Sequence, residues 1–223
     1  MTETPHLTQL KRVGAVLLAV GVLDIAYLIY CVATGINYSS SFNIFAVIAG
    51  ALLVRGSLRA ASAVRWFGTF MLAAIAATAL AWPLIQPLDL TITQVRLAPL
   101  QALASLGFLA FLVALLGWVC TRLGSAEILA ARSAAGRKSR DLRIPAVAGV
   151  GLVLAMAALI PLPLKGESGA KAKELAQQQL GDGYRYHVSS IRVSTNSDGT
   201  FVASTVTAWN EREVKVVPLQ WRE

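Results

Sequence analysis

Residues 144–164 read IPAVAGVGLVLAMAALIPLPL, a stretch of 21 residues without a charged or hydrogen-bonding side chain. A helix needs about 20 predominantly apolar residues to cross the hydrocarbon core of a bilayer. The 16 residues that follow, KGESGAKAKELAQQQL, are polar instead. This change of composition predicts that the chain leaves a membrane here. It divides the protein into a membrane domain, residues 1–164, and a smaller domain, residues 165–223.

Four more apolar segments precede this one, and the five together predict a bundle of transmembrane helices. They span approximately residues 13–34, 39–54, 67–85 and 97–121, and the second is the shortest. The composition agrees, since 56% of the residues are hydrophobic and only 14% are charged, against about 25% charged in an average soluble domain. These values exclude a disordered chain and argue against an ordinary soluble enzyme.

The positively charged side chains predict how the bundle is threaded. Residues 1–164 carry 12 basic and 5 acidic side chains, a net charge of +7, and all the basic ones except Arg96 form three groups. The groups are Lys11 and Arg12; Arg55, Arg59 and Arg65; and Arg122, Arg132, Arg137, Lys138, Arg140 and Arg143. With five crossings all three groups lie on one side, which the positive-inside rule assigns to the cytoplasm. The N-terminus is then inside and residues 165–223 are outside. A re-entrant second segment would instead put the Arg55–Arg65 group on the outer face.

The last basic group suggests a role at the membrane surface. Arg137, Lys138, Arg140 and Arg143 form a cluster that would attract anionic lipid headgroups, at about 1 kcal/mol per charge. The alternative interpretation is that the cluster serves only to orient the helices.

Residues 165–223 predict a small α+β domain. A helix over about 169–180, capped by Ser168 and stopped by Gly181, precedes three strands. The strands are predicted at Tyr184–Val193, Phe201–Trp209 and Val214–Trp221. We expect the helix to pack on a three-stranded antiparallel sheet, with Pro218 marking an edge strand.

The loop between the third and fourth apolar segments has a pattern of its own. Its apolar residues alternate with polar ones: Leu88, Leu90 and Ile92 against Asp89, Thr91 and Thr93. A period of two is typical of a β-strand. The loop is therefore predicted to be strand-like and to lie on the same side of the membrane as residues 165–223.

Aromatic residues recur along the predicted strands and allow two interpretations. The residues are Tyr184, Tyr186, Trp209 and Trp221, together with Phe201. In the first interpretation they form the core of the small domain against its helix. In the second, some of them form an exposed face that binds a partner, because one helix covers only part of a sheet. An edge strand offers another route to binding, by addition of a partner's strand.

Asp24 is the most informative single residue of the membrane domain. It lies about eleven residues into the first apolar segment, where a carboxylate costs about 2.5–3.5 kcal/mol to insert. It belongs to a stripe at helical spacing that is smaller and more polar than its surroundings: Gly14, Leu17, Gly21, Asp24, Tyr27 and Cys31. We expect the stripe to face protein. Asp24, with Tyr27 beside it, is then either a proton or cation site or a structural acid bonded to Thr69, Thr78 or Ser105.

The sequence contains no motif that indicates catalysis or metal binding. There are two histidines, His6 and His187, and no HExxH, CxxC, G-x-S-x-G or P-loop pattern. We therefore expect no enzyme activity, no metal and no cofactor. Residues 165–223 carry 8 basic and 7 acidic side chains, and so lack the basic face that nucleic-acid binding requires.

These observations favour an accessory protein of a bacterial inner membrane. Short loops, high Ala, Leu and Arg usage and the absence of cysteine from residues 165–223 suit that location. The expected partners are the lipid bilayer and a membrane or periplasmic protein, which the small outer domain would recognise. The alternative is a small transporter or proton-coupled subunit that uses Asp24.

Overall fold

The structure is a computed structural model that describes residues 5–35, 43–137, 140–164, 166–196 and 199–222. The described part is mostly helical and ends in one three-stranded sheet. Its helices are α1 (Pro5–Thr34), α2 (Asn43–Val54), α3 (Leu58–Ile85), α4 (Leu88–Leu97), α5 (Pro99–Leu123), α6 (Ala126–Ala134), α7 (Arg143–Leu159), α8 (Pro161–Leu164) and α9 (Glu167–Leu180). The strands are β1 (Arg185–Asn196), β2 (Gly199–Trp209) and β3 (Val214–Arg222).

Among the described residues, four helical segments are long and apolar enough to cross a membrane, so the protein is a membrane protein. They are α1, α3, α5 and the α7–α8 segment, of 30, 28, 25 and 22 residues. Their apolar side chains remain largely uncovered, as Leu80 and Leu100 show with 84% and 82% exposure. Apolar surface on this scale is stable only against lipid or another protein.

The second apolar segment forms a shorter helix than the other four. The 12 residues of α2 rise about 18 Å, against about 30 Å for the hydrocarbon core. This helix packs antiparallel to α1, because a Cβ on Gly14 would lie 2.8 Å from the Gly50 oxygen while Leu7 contacts Gly56. The hairpin needs glycine at both Gly14 and Gly50, since any side chain there would collide with the opposite backbone.

By its internal contacts the chain forms two compact units. The first comprises residues 1–74 and 111–149, and the second comprises residues 75–110 and 150–223, each in its described part. The predicted division into 1–164 and 165–223 follows a different criterion, the change of composition at Pro161, and it stays a prediction.

In the first unit, the ends of several helices come together. Ser125 Oγ donates to Gln9 Oε1 at 2.7 Å, and Gln9 Nε2 donates to Glu127 at 2.8 Å. These bonds join α6 to the start of α1. Arg132 Nη2 donates to Ser62 Oγ at 3.0 Å and so joins α6 to α3. The start of α1, the α2–α3 turn, the end of α5 and α6 therefore lie at one end of this unit.

In the second unit, α9 packs on an antiparallel sheet of order β1-β2-β3, as the sequence predicts. Ala172 and Ala176 of α9 are fully buried against Val188 and Val206. The helix begins one residue after Gly166 rather than at a Ser168 cap, which corrects that prediction. It ends at Gly181, whose φ of 80° favours glycine. We name α9 and the three strands the C-terminal module.

The prediction of a strand-like loop at 86–97 is wrong, since residues 88–97 form the helix α4. In a helix, Leu88, Ile92 and Val95 fall on one face at i, i+4 and i+7, and all three are exposed. Leu90 turns the other way and is buried. The alternation over six residues is compatible with both structures. The first turn is favoured by Pro87 before it and by Asp89 near its positive end.

Candidate functional sites

Asp24 lies in α1 on a stripe that is mainly buried. Gly14, Leu17, Gly21 and Cys31 are buried, Asp24 is half-buried and the side chain of Tyr27 is 55% exposed. The Tyr27 ring stacks on Tyr30 with ring centroids 6.4 Å apart. Most of the stripe thus faces protein, as its small residues predict.

Two of the hydroxyl groups expected near Asp24 are bonded within their own helices. Thr69 Oγ1 donates to the Arg65 carbonyl at 2.9 Å, and Ser105 Oγ donates to the Gln101 carbonyl at 2.9 Å. A hydroxyl has one proton to donate. Thr69 and Ser105 therefore have only lone pairs left to offer another group.

The four aromatic residues predicted as an interaction face lie on different sides of the C-terminal module. Tyr186 and Trp221 are half-buried against the core under α9. Trp209 is on the opposite face of the sheet, because it pairs with Arg185 rather than with the residues under α9, and it is 5% exposed. Tyr184 precedes β1. Burial agrees with the core interpretation for Tyr186, Trp209 and Trp221, and the interaction face stays a prediction.

Tyr184 and Trp209 line a cleft of about 380 Å³ between α4 and the sheet. We name it the α4 cleft; it is also lined by Asp89, Thr93, Asp182, Arg185 and Glu211. An ion pair between Asp89 of α4 and Arg185 of β1 joins its two walls. Sequence reasoning missed this pair, whose only signal was the single acid Asp89 in a loop of the membrane domain.

A polar network closes one end of the sheet beside this cleft. Lys215 Nζ lies 2.8 Å from Glu213 Oε1 and donates to Tyr184 Oη at 2.9 Å, while Tyr184 Oη donates to Glu213. The hydrogen bond from Lys215, followed by that from Tyr184, lowers the pKa of Glu213. The bond to Glu213 raises the pKa of Lys215. The two groups stay charged at neutral pH and hold the β2–β3 turn against Tyr184.

His187 lies at Thr207 in the β1–β2 register and is half-buried. Burial lowers the pKa of this imidazole, and the positive charge of Lys173 on α9 lowers it further. The side chain is therefore neutral at pH 7. Within the described residues no group of three His, Cys, Asp or Glu side chains is placed to hold a metal ion.

A second cleft, of about 310 Å³, lies in the first unit between the membrane helices and α2. Its lining is apolar and includes Leu17, Phe45, Ala49, Phe67 and Leu116. The Phe45 and Phe67 rings stack across it with centroids 6.2 Å apart. The cleft suits a lipid acyl chain, but it contains no side chain that could orient a polar ligand.

The predicted lipid-contact cluster lies between α6 and α7. Arg137 is half-buried, whereas Arg140 and Arg143 are exposed. Lys138 lies outside the described residues. Exposed side chains at this position can reach a headgroup without leaving water.

The chain matches no protein-family model, no curated protein and no solved structure. What it does must therefore be argued from its own residues.

Proposed function

We propose that the protein is a non-enzymatic accessory protein of a bacterial inner membrane, whose C-terminal module recognises a protein partner outside the cytoplasm. The chain would cross the membrane five times, with its N-terminus inside and the module in the periplasm. The partner would be a membrane or periplasmic protein that belongs to a larger complex.

The placement of the basic residues supports this threading. The start of α1, the α2–α3 turn and α6 lie together at one end of the first unit, and they or their flanks carry 11 of the 12 basic residues of the membrane domain. The exception is Arg96 in α4. A chain that leaves this end through α1 and enters α3 at the same end has to return between them. Helix α2, which packs antiparallel to α1, runs in the direction of that return.

The threading is tested by fusing a reporter that is active only outside the cytoplasm. Fusion after Glu223 should give signal, and fusion after Ser133 should give none. The reverse pattern would contradict the proposed orientation. Signal from an additional fusion after Arg55 would favour a re-entrant α2 over a fifth crossing.

The α4 cleft is the single observation that carries the recognition role. It combines two aromatic side chains, Tyr184 and Trp209, with the charges of Asp89, Arg185 and Glu211 in one concave surface. Aromatic and arginine side chains contribute most to protein interfaces. The cleft also opens beside an exposed apolar stripe on α4, which widens the surface that a partner could cover.

Photo-crosslinking in intact membranes tests this role. A photoreactive residue at Glu211, on the rim of the cleft, should capture one stoichiometric partner. The matched position Glu174, exposed on α9 away from the cleft, should capture little. Thr93→Trp, which fills the cleft, should abolish capture at Glu211. Equal capture from both positions, or capture that survives Thr93→Trp, would refute the proposal.

A transport role is the alternative, and the half-buried Asp24 on its stripe of small residues favours it. Asp24→Asn keeps the size and the hydrogen bonding of the side chain but removes its charge. A transporter or proton-coupled subunit should lose activity in this variant, whereas an accessory protein should still assemble with its partner.

A further inference from the structure

The apolar cleft of the first unit, which we name the α2 cleft, runs along α2 and the first half of α3. Its lining extends from Phe45 to Leu52 on α2 and from Ala60 to Gly68 on α3. Since a helix rises 1.5 Å per residue, each of these walls is about 10–12 Å long. Helices α1 and α5 contribute the rest of the lining. The cleft is therefore an elongated groove.

The two ends of the α2 cleft differ. At one end the rings of Phe45 and Phe67 stack with their centroids 6.2 Å apart. The other end lies beside the α2–α3 turn, because Leu52 and Ala60 are the lining residues nearest to that turn. All the lining side chains are apolar. A molecule that fills the groove must therefore be apolar along its length, since a polar group would find no partner there.

The open side of the α2 cleft suits contact with lipid. Three apolar side chains of its lining, Ile48, Leu52 and Phe67, are 54%, 40% and 37% exposed. The cleft also lies among α1, α3 and α5, which are long and apolar enough to cross a membrane. Such apolar surface is unstable against water. In a bilayer, the apolar molecule that can occupy a groove of this shape is the acyl chain of a lipid.

Two arginines follow the walls of the groove at the α2–α3 turn. Arg55 comes three residues after Leu52, and its amide donates to the Ala51 carbonyl at 3.1 Å, which continues the helical bonding of α2. Arg59 comes four residues before Ala63 on α3. Residues at these spacings are neighbours on a helix surface. Both arginines are exposed, and within the described part of the chain neither guanidinium has an ion pair or a hydrogen bond.

We propose that the α2 cleft binds one acyl chain of an anionic phospholipid, whose phosphate lies outside the groove beside Arg55 and Arg59. The groove holds the chain, and the guanidinium groups supply the charged N–H donors that phosphate oxygens accept. The site differs from the exposed cluster at residues 137–143, where the headgroup alone would be held. It also does not depend on which face of the membrane carries the α2–α3 turn.

Acyl-chain crosslinking tests the site in the full-length protein. The probe is phosphatidylglycerol with a diazirine in one acyl chain, present at trace level in phosphatidylcholine nanodiscs. After illumination, mass spectrometry should locate most of the adducts at residues 45–52 and 60–68. Ala63→Trp fills the groove from an exposed position and should remove most of these adducts. The matched control Ala110→Trp, also at an exposed alanine but outside the lining, should leave them unchanged.

The same diazirine chain on phosphatidylcholine tests the headgroup. We expect it to label the groove about fivefold less, since one charge at a membrane surface changes an affinity by about that factor. Arg55→Gln should lower labelling by phosphatidylglycerol by a similar factor and leaves the packing of the helices intact. Arg122→Gln removes a positive charge from an exposed position at the end of α5, and it should label as the wild type does.

Melting of each variant in phosphatidylcholine nanodiscs shows that it is folded. Wild-type adducts spread evenly over all the spanning helices would overturn the proposal, because they would come from ordinary bilayer lipid. Labelling of the groove that survives Ala63→Trp would overturn it as well. Equal labelling by the two headgroups, or equal losses in Arg55→Gln and Arg122→Gln, would show that the arginines beside the groove do not select an anionic lipid, and would refute the site as proposed.

Discussion

The two short helices next to the sheet, α9 and α4, are attached in opposite ways. Helix α9 meets the sheet through small apolar side chains, Ala172 and Ala176, that are fully buried. Helix α4 meets it through the ion pair of Asp89 and Arg185, whose side chains are 63% and 68% exposed. Its own apolar stripe, Leu88, Ile92 and Val95, is exposed.

This difference indicates that the helices have different tasks. Burial of apolar surface gives α9 a contact that is independent of salt and costly to break, so α9 belongs to the folded core of the module. An exposed ion pair contributes about 0–1 kcal/mol and weakens with salt. The contact of α4 with the sheet is therefore expected to break more easily than the contact of α9.

The largest effect is expected from a charge placed under α9. Ala176→Asp puts a carboxylate among Val188 and Val206 and should destabilise the module by roughly 3 kcal/mol or more. About 60 residues bury little surface, and so the module should unfold. Limited proteolysis in membranes measures this. Gln178→Asp, exposed on the same helix, is the control. Resistance of Ala176→Asp to the protease would contradict an apolar attachment.

A smaller effect is expected on the other side of the sheet. Asp89→Asn should change the stability of the module by at most about 1 kcal/mol, because the ion pair is exposed. Amide hydrogen exchange in α4 should nevertheless become faster and lose its dependence on salt. Glu174→Gln removes an exposed acid from α9 and should leave that exchange unchanged. Global unfolding of Asp89→Asn would show that α4 is part of the core.

Mild acid should weaken the module through His187. The pKa of His187 is lowered in the folded state, so between that pKa and about 6.5 the unfolded chain binds more protons. The contribution of His187 to stability is fully present above pH 6.5, and it is lost as the pH falls through the pKa of the folded state. In His187→Gln, the melting temperature of the module should fall less steeply as the pH is lowered from 8. His6→Gln, outside the module, should not. An unchanged slope in His187→Gln would refute this assignment.

Stronger acid should weaken the α4 side through Glu213, with the smallest effect of the four. The pKa of Glu213 is lowered by Lys215 and Tyr184, so its contribution is present above 4.5 and is lost as the pH falls below that value. The Glu213 carboxylate is exposed, and solvent screening limits how much it stabilises the module. Glu213→Gln should remove this part of the acid dependence, and Glu211→Gln should retain it. Melting below pH 5 in both variants provides the comparison.

Much of this architecture was predictable because it depends on local patterns. Uninterrupted apolar runs predicted α1, α3, α5 and the α7–α8 segment, since a spanning helix satisfies its own backbone hydrogen bonds. Valine, threonine and aromatic residues predicted the strands to within a few positions. The stop of α9 at Gly181 followed from the left-handed conformation that glycine permits.

Other features were not predictable because they depend on residues distant in sequence. The pattern around Leu88–Ile92 fits a strand or a helix over so short a stretch, and packing of Leu90 on its neighbours is part of what the helix gains. Whether Trp209 is core or interface depends on what covers the second face of the sheet. The sequence marks Arg132 only as one more topogenic charge, whereas the fold buries it and bonds it to Ser62.

The sequence by itself determined that this is a membrane protein, where its chain leaves the apolar segments, and that a helix and three strands follow. Hydrophobicity and backbone propensity act residue by residue, and so they can be read along the chain. The tertiary structure alone decided that α4 faces the sheet through Asp89 and that Arg132 bonds to Ser62. Such contacts join residues 70 or more positions apart, as Ser62 and Arg132 are, and only the folded chain brings them together.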